Sequence, residues 1–418
     1  MRFRSTRNKE DTVSFLQAVD LGLAADGGLF VPEEFPQFHE NEFNDLTFKS
    51  IVKKVLSPFL KEDFSILEIE NLSEKAFSFP IKLKKISEQT SILELFHGPT
   101  AAFKDVAAQF LAQVINGNSN RQQTILVATS GDTGGAVAAA FNNRPGVNVV
   151  LLFPNKGVSP LQRQQLTCWG PNIISLAVEG TFDDCQRLVK SLLANRELTE
   201  RFQFKSANSI NIARLLPQAC YFAASALWWS KERNTKANFI IPTGNMGNAV
   251  AAFWAKRMGF PINKITMASN ANSVITNFYK TGEFQPMPSQ ATLANAMDVG
   301  NPSNFERLKD LYPDYQELKS FSNTQSINDD EIKSTIKDVY KKYGEVICPH
   351  TATAFVISEK QQNESIVVAT AHPAKFKEIV EPLLSIEIKL PIQLQNLYER
   401  RSQFKIIAAS EIEILKLL

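Results

Sequence analysis

Residues 237–269 read ANFIIPTGNMGNAVAAFWAKRMGFPINKITMAS, and the alternation within them decides the fold. Ala237 to Pro242 is a short apolar run, and Thr243 to Asn248 is a glycine-bearing loop. Ala249 to Met258 has the composition of a buried helix, and Lys264 to Ser269 is extended again. Strand, loop, helix and strand in this order form a unit whose two strands lie parallel, joined by a right-handed crossover. The same unit stands upstream: Thr124 to Ala128 (TILVA), a loop over Thr129 to Gly135 (TSGDTGG), a helix opening at Ala136, and a strand over Val147 to Phe153. A strand at 173–178 and an amphipathic helix from Phe182 to Leu193 follow. The spacing therefore predicts α/β architecture with two parallel sheets, one near 120–180 and one from 237 onward, and a cleft between two lobes.

Outward from these units the pattern is less regular. Ser91 to Phe96 alternates as a strand, His97-Gly98-Pro99-Thr100 breaks it, and Lys104 to Ile115 carries apolar residues at 106, 107, 110, 111, 114 and 115, a helical period. Residues 1–90 read as a helix-rich unit, with a tight turn at Asp26-Gly27-Gly28 leading into a short extended segment. The stretch 310–345 is polar and reads as a solvated surface helix with its linkers, and Ile366 to Thr370 reads as a late core strand. The division expected is 1–90 as an N-terminal domain, 91–225 as a small α/β lobe and 226–418 as a large one.

Composition narrows the function classes. At 418 residues, two or three packed units are expected. Hydrophobic residues make up 44% and charged residues 21%, which is the composition of a globular chain. Lys+Arg 45 against Asp+Glu 43 removes the case for a strongly basic nucleic-acid surface, though not for a local patch. Cysteines 168, 185, 220 and 348 form no C-x-x-C pair, and the four histidines form no H-E-x-x-H pair, so no metal site is expected. The N-terminus has no apolar signal core, and the longest apolar run, around Ala219 to Trp229, is about half of what a bilayer requires. A cytoplasmic protein without membrane attachment is the expectation.

Four segments carry chemistry. The loops at 130–135 and 244–248 each join a buried strand to a helix, where the free N–H groups of the first turn bind an anion such as phosphate. Neither is G-x-G-x-x-G, and neither ends in G-K-[ST]; the plainer reading is two tight β–α turns. Lys104 opens an apolar helix, where a cation opposes the dipole and a desolvated amine becomes a nucleophile able to form a Schiff base. Its plainer reading is a surface lysine paired with Asp105. Ser206 to Arg214 gathers hydroxyl, amide and guanidinium donors, with Asn208 or Ser209 as an ordinary helix cap on the plainer reading. In Cys348 to Thr353, Thr351 is either a cap or a polar group facing the site. For His97, His350 and His372, a hydrogen-bonded structural role is expected.

Taken together, ELFHGPTAAFKD (94–105), ATSGDTGGA (128–136), SPLQ (159–162), SANSINIAR (206–214), PTGNMGN (242–248), ATLANAMDVGNPSN (291–304), PHTA (349–352) and TAHPAKF (370–376) resemble the threonine synthase family, in that family's order. DGGLFVPE (26–33) resembles the start of its longer form. The resemblance implies the fold type II (tryptophan synthase β-like) architecture of pyridoxal phosphate enzymes, with two parallel-sheet lobes and a helix-rich N-terminal unit. It implies conversion of O-phospho-L-homoserine and water into L-threonine and phosphate by a monomer or homodimer. Lys104 then matches the lysine bonded to pyridoxal 5'-phosphate, with Phe103 beside it. Gly244, Asn245, Met246, Gly247 and Asn248 match the loop around the cofactor phosphate, and Thr351 matches the hydroxyl facing the pyridine nitrogen. Ser130, Thr133, Asn208, Ser209 and Arg214 match the substrate-phosphate site. Asp132 stands where related enzymes often carry Asn near the cofactor's phenolic oxygen, a place that suits a carboxylate only when it is protonated or turned away. Other activities on the same scaffold (a dehydratase, a sulfhydrylase, a phospholyase) and a silent cofactor-binding protein are the alternatives. The 208–214 donors favour a phosphorylated substrate over the first two.

Overall fold

A computed structural model describes residues 1–115, 122–129, 131–156, 158–361 and 363–418. Two parallel sheets form its frame. The first has the order Lys405–Ala408, Ile173–Glu179, Val147–Pro154, Gln123–Ala128, Phe204–Ser206, and every pair in it is parallel. The second runs Ser322–Ser326, Ile262–Ser269, Ala237–Pro242, Ser365–Ala369, Thr90–Glu94, Lys82–Lys85, parallel except for the last pair. Central strands such as Gln123–Ala128 are buried along their whole length, as parallel strands covered by helices on both faces must be.

The sheets do not follow chain order. Thr90–Glu94 lies next to Ser365–Ala369 in the second sheet, and Lys405–Ala408 forms an edge of the first. Ser322–Ser326 is a strand inside the stretch expected to be surface helix and linkers; SNTQS has no apolar alternation because it is an outermost strand. The remainder of that stretch includes the expected exposed helix, Asp329–Tyr343, capped by Asn328.

Residues ahead of the sheets form a three-stranded antiparallel ribbon, Thr12–Val13, Phe3–Ser5 and Phe30–Pro32, and three α-helices, Phe15–Leu21, Phe48–Leu60 and Ile66–Ala76. Helix Phe48–Leu60 buries Ile51, Val52, Val55, Leu56, Phe59 and Leu60, one face at helical spacing. Helix Ile66–Ala76 begins with a Ser65–Glu68 capping box. Phe3, Phe15, Phe59 and Phe110 pack ring against ring, joining this unit to the Lys104–Val114 helix.

This topology has one consequence for function. Lys104 follows Thr90–Glu94, Asp132 follows Gln123–Ala128, Asn208 to Arg214 follow Phe204–Ser206, Gly244 to Asn248 follow Ala237–Pro242, and Lys375 follows Ser365–Ala369. All lie beyond the carboxyl ends of parallel strands, where open α/β sheets bind ligands. Among the described residues, no helix is long and apolar enough to cross a membrane, and no cluster of three metal-ligating side chains occurs.

Candidate active site

Lys104 begins helix Lys104–Val114, and its loop is stitched to the loop beyond Ser365–Ala369. Phe103 N–H donates to the Thr370 carbonyl at 2.8 Å, and His372 N–H to the Ala101 carbonyl at 3.0 Å. The expected ion pair with Asp105 is absent. Asp105 is buried beneath the loop and accepts from Thr100 N (2.9 Å), Thr100 Oγ1 (2.6 Å) and Ala102 N (3.4 Å). Gly98 makes room for it, since a Cβ at 98 would lie 2.5 Å from Asp105 Cβ. Burial pushes the Asp105 carboxyl up to about 6. Lys104 Nζ lies over the Phe103 ring at 5.0 Å, its one polar or cation–π contact among the described residues. Burial, then the nearby Arg214 and Lys375 cations, push its amine down to about 8 against the opposing pull of Asp132.

Asp132 is resolved by a residue that sequence reasoning missed. Lys375 is fully buried, holds Asp132 Oδ1 at 2.8 Å, and donates to the Thr100 carbonyl at 2.9 Å. Burial works against the Asp132 carboxylate, but the charge and hydrogen bond of Lys375, joined by His350 and Lys104, hold the group below its ordinary range. The carboxylate is therefore charged and matched. Gln162, within SPLQ, adds an amide at 3.4 Å, and Gly131 beside it holds φ +149, a conformation that side chains rarely adopt. A lysine amid apolar residues just after a core strand was the available signal for Lys375.

The Ser206 to Arg214 segment contacts the second glycine loop. Ser209 Oγ accepts from Asn245 Nδ2 at 2.7 Å and from Asn304 Nδ2 at 3.3 Å. Asn245 Oδ1 in turn accepts from Ser303, at 2.7 Å from the amide and 3.0 Å from the hydroxyl. Neither Asn208 nor Ser209 is the helix cap; Asn211 is, accepting from Ala213 N at 3.0 Å. Asn208 Nδ2 reaches the Ala128 carbonyl at 3.0 Å, and its Oδ1 is buried without a partner. Arg214 is buried, donates to the Ala207 carbonyl through Nη1, and leaves Nε without an acceptor. A second buried arginine, Arg307, also escaped the sequence reading and holds the backbone of this segment at Ser209 and Ile210.

Met246 adopts φ +62, the left-handed conformation, to launch helix Gly247–Arg257. Gly244 packs directly on backbone: a Cβ at this position would stand only 2.7 Å from Met297 Cα. Asn248 Oδ1 accepts from Tyr221 Oη at 2.6 Å, while its Nδ2 is buried and unpartnered. Thr351 is buried in the first turn of Pro349–Gln361; its hydroxyl meets Cys348 Sγ at 3.2 Å, and that sulfur, not Thr351, takes the cap position. His350 Nε2 accepts from Ala296 N at 3.0 Å, burial pushes the ring down to about 4, and Nδ1 is without a partner. His97 and His372 are hydrogen-bonded, to Glu94 and to Ala374 N. Thr133 is half-buried in the first turn of Asp132–Phe141, and Ser130 lies outside the described residues.

The family described as pyridoxal-phosphate dependent enzyme matches residues 81–370. Those described as threonine synthase N terminus and threonine synthase, C-terminal match 2–77 and 349–417. The chain is 39% identical to the threonine synthase of Haemophilus influenzae, over 95% of this chain and 94% of that protein. The chain belongs to the threonine synthase family. It is also 37% identical to the Escherichia coli threonine synthase, over 94% of each. The crystal structure of that Escherichia coli enzyme superposes with a TM-score of 0.91 at 35% identity, covering 100% of this chain and 99% of that one. A threonine synthase from Brucella melitensis, solved with pyridoxal phosphate bound, superposes at 0.92 with 32% identity, covering 100% and 98%. Membership in the threonine synthase family makes this chain a pyridoxal phosphate-dependent lyase of amino-acid biosynthesis, on the fold type II architecture. Its residues suit that cofactor: a free lysine amine, a glycine loop at a helix N-terminus, and buried donors without partners at Arg214 and Asn248.

Proposed function

We propose that the chain converts O-phospho-L-homoserine and water into L-threonine and phosphate, with Lys104 bonding the cofactor and acting as the base. The observation that carries this is the meeting, beyond the strand ends, of an amine held near 8 with an arginine whose Nε lacks an acceptor. Backbone N–H groups of Gly244 to Asn248 and the Asn248 amide would hold the cofactor phosphate, Thr351 would face its ring nitrogen, and Phe103 would line it. Bound pyridoxal phosphate supplies an electron sink for a carbanion at the substrate's Cα. Lys104 Nζ removes the Cα proton and then a Cβ proton; once phosphate has left, one proton goes to Cγ to form the methyl group and one returns to Cα. Arg214, with Asn208, Ser209, Thr133 and Ser130, binds the γ-phosphate and stabilises charge developing on the leaving oxygen. Water then adds at Cβ, which requires the closed site to admit one molecule to that carbon alone.

The three units 1–90, 91–225 and 226–418 enter this proposal with Thr90–Glu94 and Lys405–Ala408 exchanged between the sheets. A cytoplasmic location and a monomer or homodimer state belong to the same reading; fractionation and sedimentation test them. The deciding assay supplies purified protein with pyridoxal phosphate and O-phospho-L-homoserine and measures threonine, 2-oxobutyrate and phosphate. Threonine in step with phosphate is expected. Phosphate with 2-oxobutyrate instead would overturn the reading in favour of a phospholyase, and turnover by Lys104→Ala would overturn the role given to Lys104.

A further inference from the structure

We propose that Lys375 is a positioning residue that keeps the Asp132 carboxylate away from Lys104, so that Lys104 remains a free amine rather than half of an ion pair. The inference rests on the assignment of Lys104 above. Asp132 is the acid able to neutralise Lys104 from the neighbouring helix, Asp132–Phe141, and it is buried and ionised. Lys375 takes its Oδ1 at 2.8 Å. The same ammonium holds the Thr100 carbonyl, which also accepts from Gln165 Nε2 at 3.0 Å. Thr100 is part of the turn that presents Lys104, so one cation fixes both the acid and the nucleophile's loop. Asp105, the other acid nearby, is occupied by Thr100 and Ala102 and is turned beneath the loop.

The charged and titratable groups bearing on Lys104 come from three other elements: Arg214 from Ile212–Leu215, Asp132 from Asp132–Phe141 and Lys375 from Pro373–Phe376. His350, from Pro349–Gln361, bears on them as a neutral ring. Of these, only Asp132 pulls a proton onto Lys104, and Lys375 both holds that acid and repels the proton directly. Taking away Lys375 alone frees a carboxylate to move onto the amine, and an opposite charge at close range raises such a group by about one to three units. Taking away Asp132 alone leaves an unmatched cation and moves Lys104 the other way.

The test is the rate at which apoprotein takes up pyridoxal phosphate, followed by the absorption of the lysine-bound cofactor across a pH series. The parent's rate should rise through about 8 as Lys104 loses its proton. Lys375→Met should shift that midpoint up by about one unit and slow uptake roughly tenfold below it. Asp132→Asn should shift it down, and Asp132→Asn with Lys375→Gln should return it to within about half a unit of the parent. A loosened site alone would lower all rates without moving the midpoint, and that result overturns the inference. Should Lys375→Met not fold, the Asp132→Asn direction and the double variant decide it, an unmoved or upward midpoint in Asp132→Asn refuting it. Lys104→Ala separates the two readings. If it still forms the lysine-bound absorption, the Lys104 assignment fails and this inference with it; if it loses the absorption while the midpoints stay fixed, only this inference fails.

Discussion

Replacing Arg307 by Met should weaken both the fold and substrate binding, although Arg307 is not assigned any contact with a ligand. Its guanidinium is wholly buried and donates to the Phe30 carbonyl at 3.0 Å, Ser209 carbonyl at 3.0 Å, Ile210 carbonyl at 2.6 Å and Asn304 Oδ1 at 2.6 Å. Methionine fills most of the volume but leaves four acceptors without that donor. At roughly 1–1.5 kcal/mol for each lost bond the gross cost is about 4–6 kcal/mol. Relief from burying a cation without a hydrogen-bonded carboxylate offsets part of this, leaving a net loss of about 2–4 kcal/mol. Burial already holds this guanidinium below its ordinary value, with Glu306 pulling the other way, so that relief is real. The Ser209–Ile210 backbone should then loosen, raising KM for O-phospho-L-homoserine more than it lowers kcat, because Ser209 belongs to the proposed phosphate site. Urea unfolding and steady-state kinetics read the two effects. Arg7→Ala, which breaks an exposed pair with Glu306, is the control and should move neither. An Arg307→Met midpoint and KM indistinguishable from those of the control would refute the reasoning.

Gly244→Ala should reduce cofactor affinity at least about tenfold, since its methyl would meet Met297 backbone at 2.7 Å and the loop must move; equilibrium titration with pyridoxal phosphate checks it. Asn248→Asp places a carboxylate where a phosphate is proposed to bind and should weaken the cofactor by a similar factor or more, measured in the same titration. His350 and His372 are held neutral down to about 4 in the fold, against 6.5 when exposed. Between those values the unfolded chain binds more protons, so stability should fall as pH drops from 6.5 toward 4, by up to roughly 3 kcal/mol per ring. Urea unfolding at stepped pH checks this, and His350→Asn should reduce the slope.

Where periodicity and local chemistry decide structure, the sequence was legible. Lys104 to Ile115 reads as a helix from its apolar spacing, and the structure has Lys104–Val114. The glycine segments at 131–135 and 244–248 each follow a core strand as read, but helices Asp132–Phe141 and Gly247–Arg257 begin inside them rather than at Ala136 and Ala249. What escaped depends on partners far along the chain. Lys375 meets an acid at 132 and a carbonyl at 100, and Arg307 meets carbonyls at 30, 209 and 210; spacing carries no information about such meetings. The edge strands Ser322–Ser326 and Lys405–Ala408 escaped because an edge is half-solvated and need not alternate. The misplaced cap at 208–209 has a local cause: three candidate cap residues stand within four positions, and only the fold selects Asn211.

Among the buried cations of this site other than Lys104, hydrogen-bond satisfaction separates Arg307 and Lys375, which hold the fold, from Arg214, which is suited to an anion. Every nitrogen of Arg307 donates to protein, and Lys375 has a carboxylate and a carbonyl. Arg214 is as deeply buried, yet it reaches one carbonyl and its Nε faces no acceptor. An orphaned cationic donor in the interior costs stability, so its persistence is accounted for if an anion completes it. Inorganic phosphate should therefore raise the unfolding temperature of the apoprotein in a concentration-dependent way, and Arg214→Met should abolish much of that response while raising the unliganded temperature, because the orphan has been removed. Arg307→Met should do the reverse, lowering the unliganded temperature while keeping a phosphate response. If Arg214→Met lowers the unliganded temperature and leaves the phosphate response intact, the unpartnered nitrogen is no guide to the anion, and the substrate-phosphate assignment must move to the loop at 130–135.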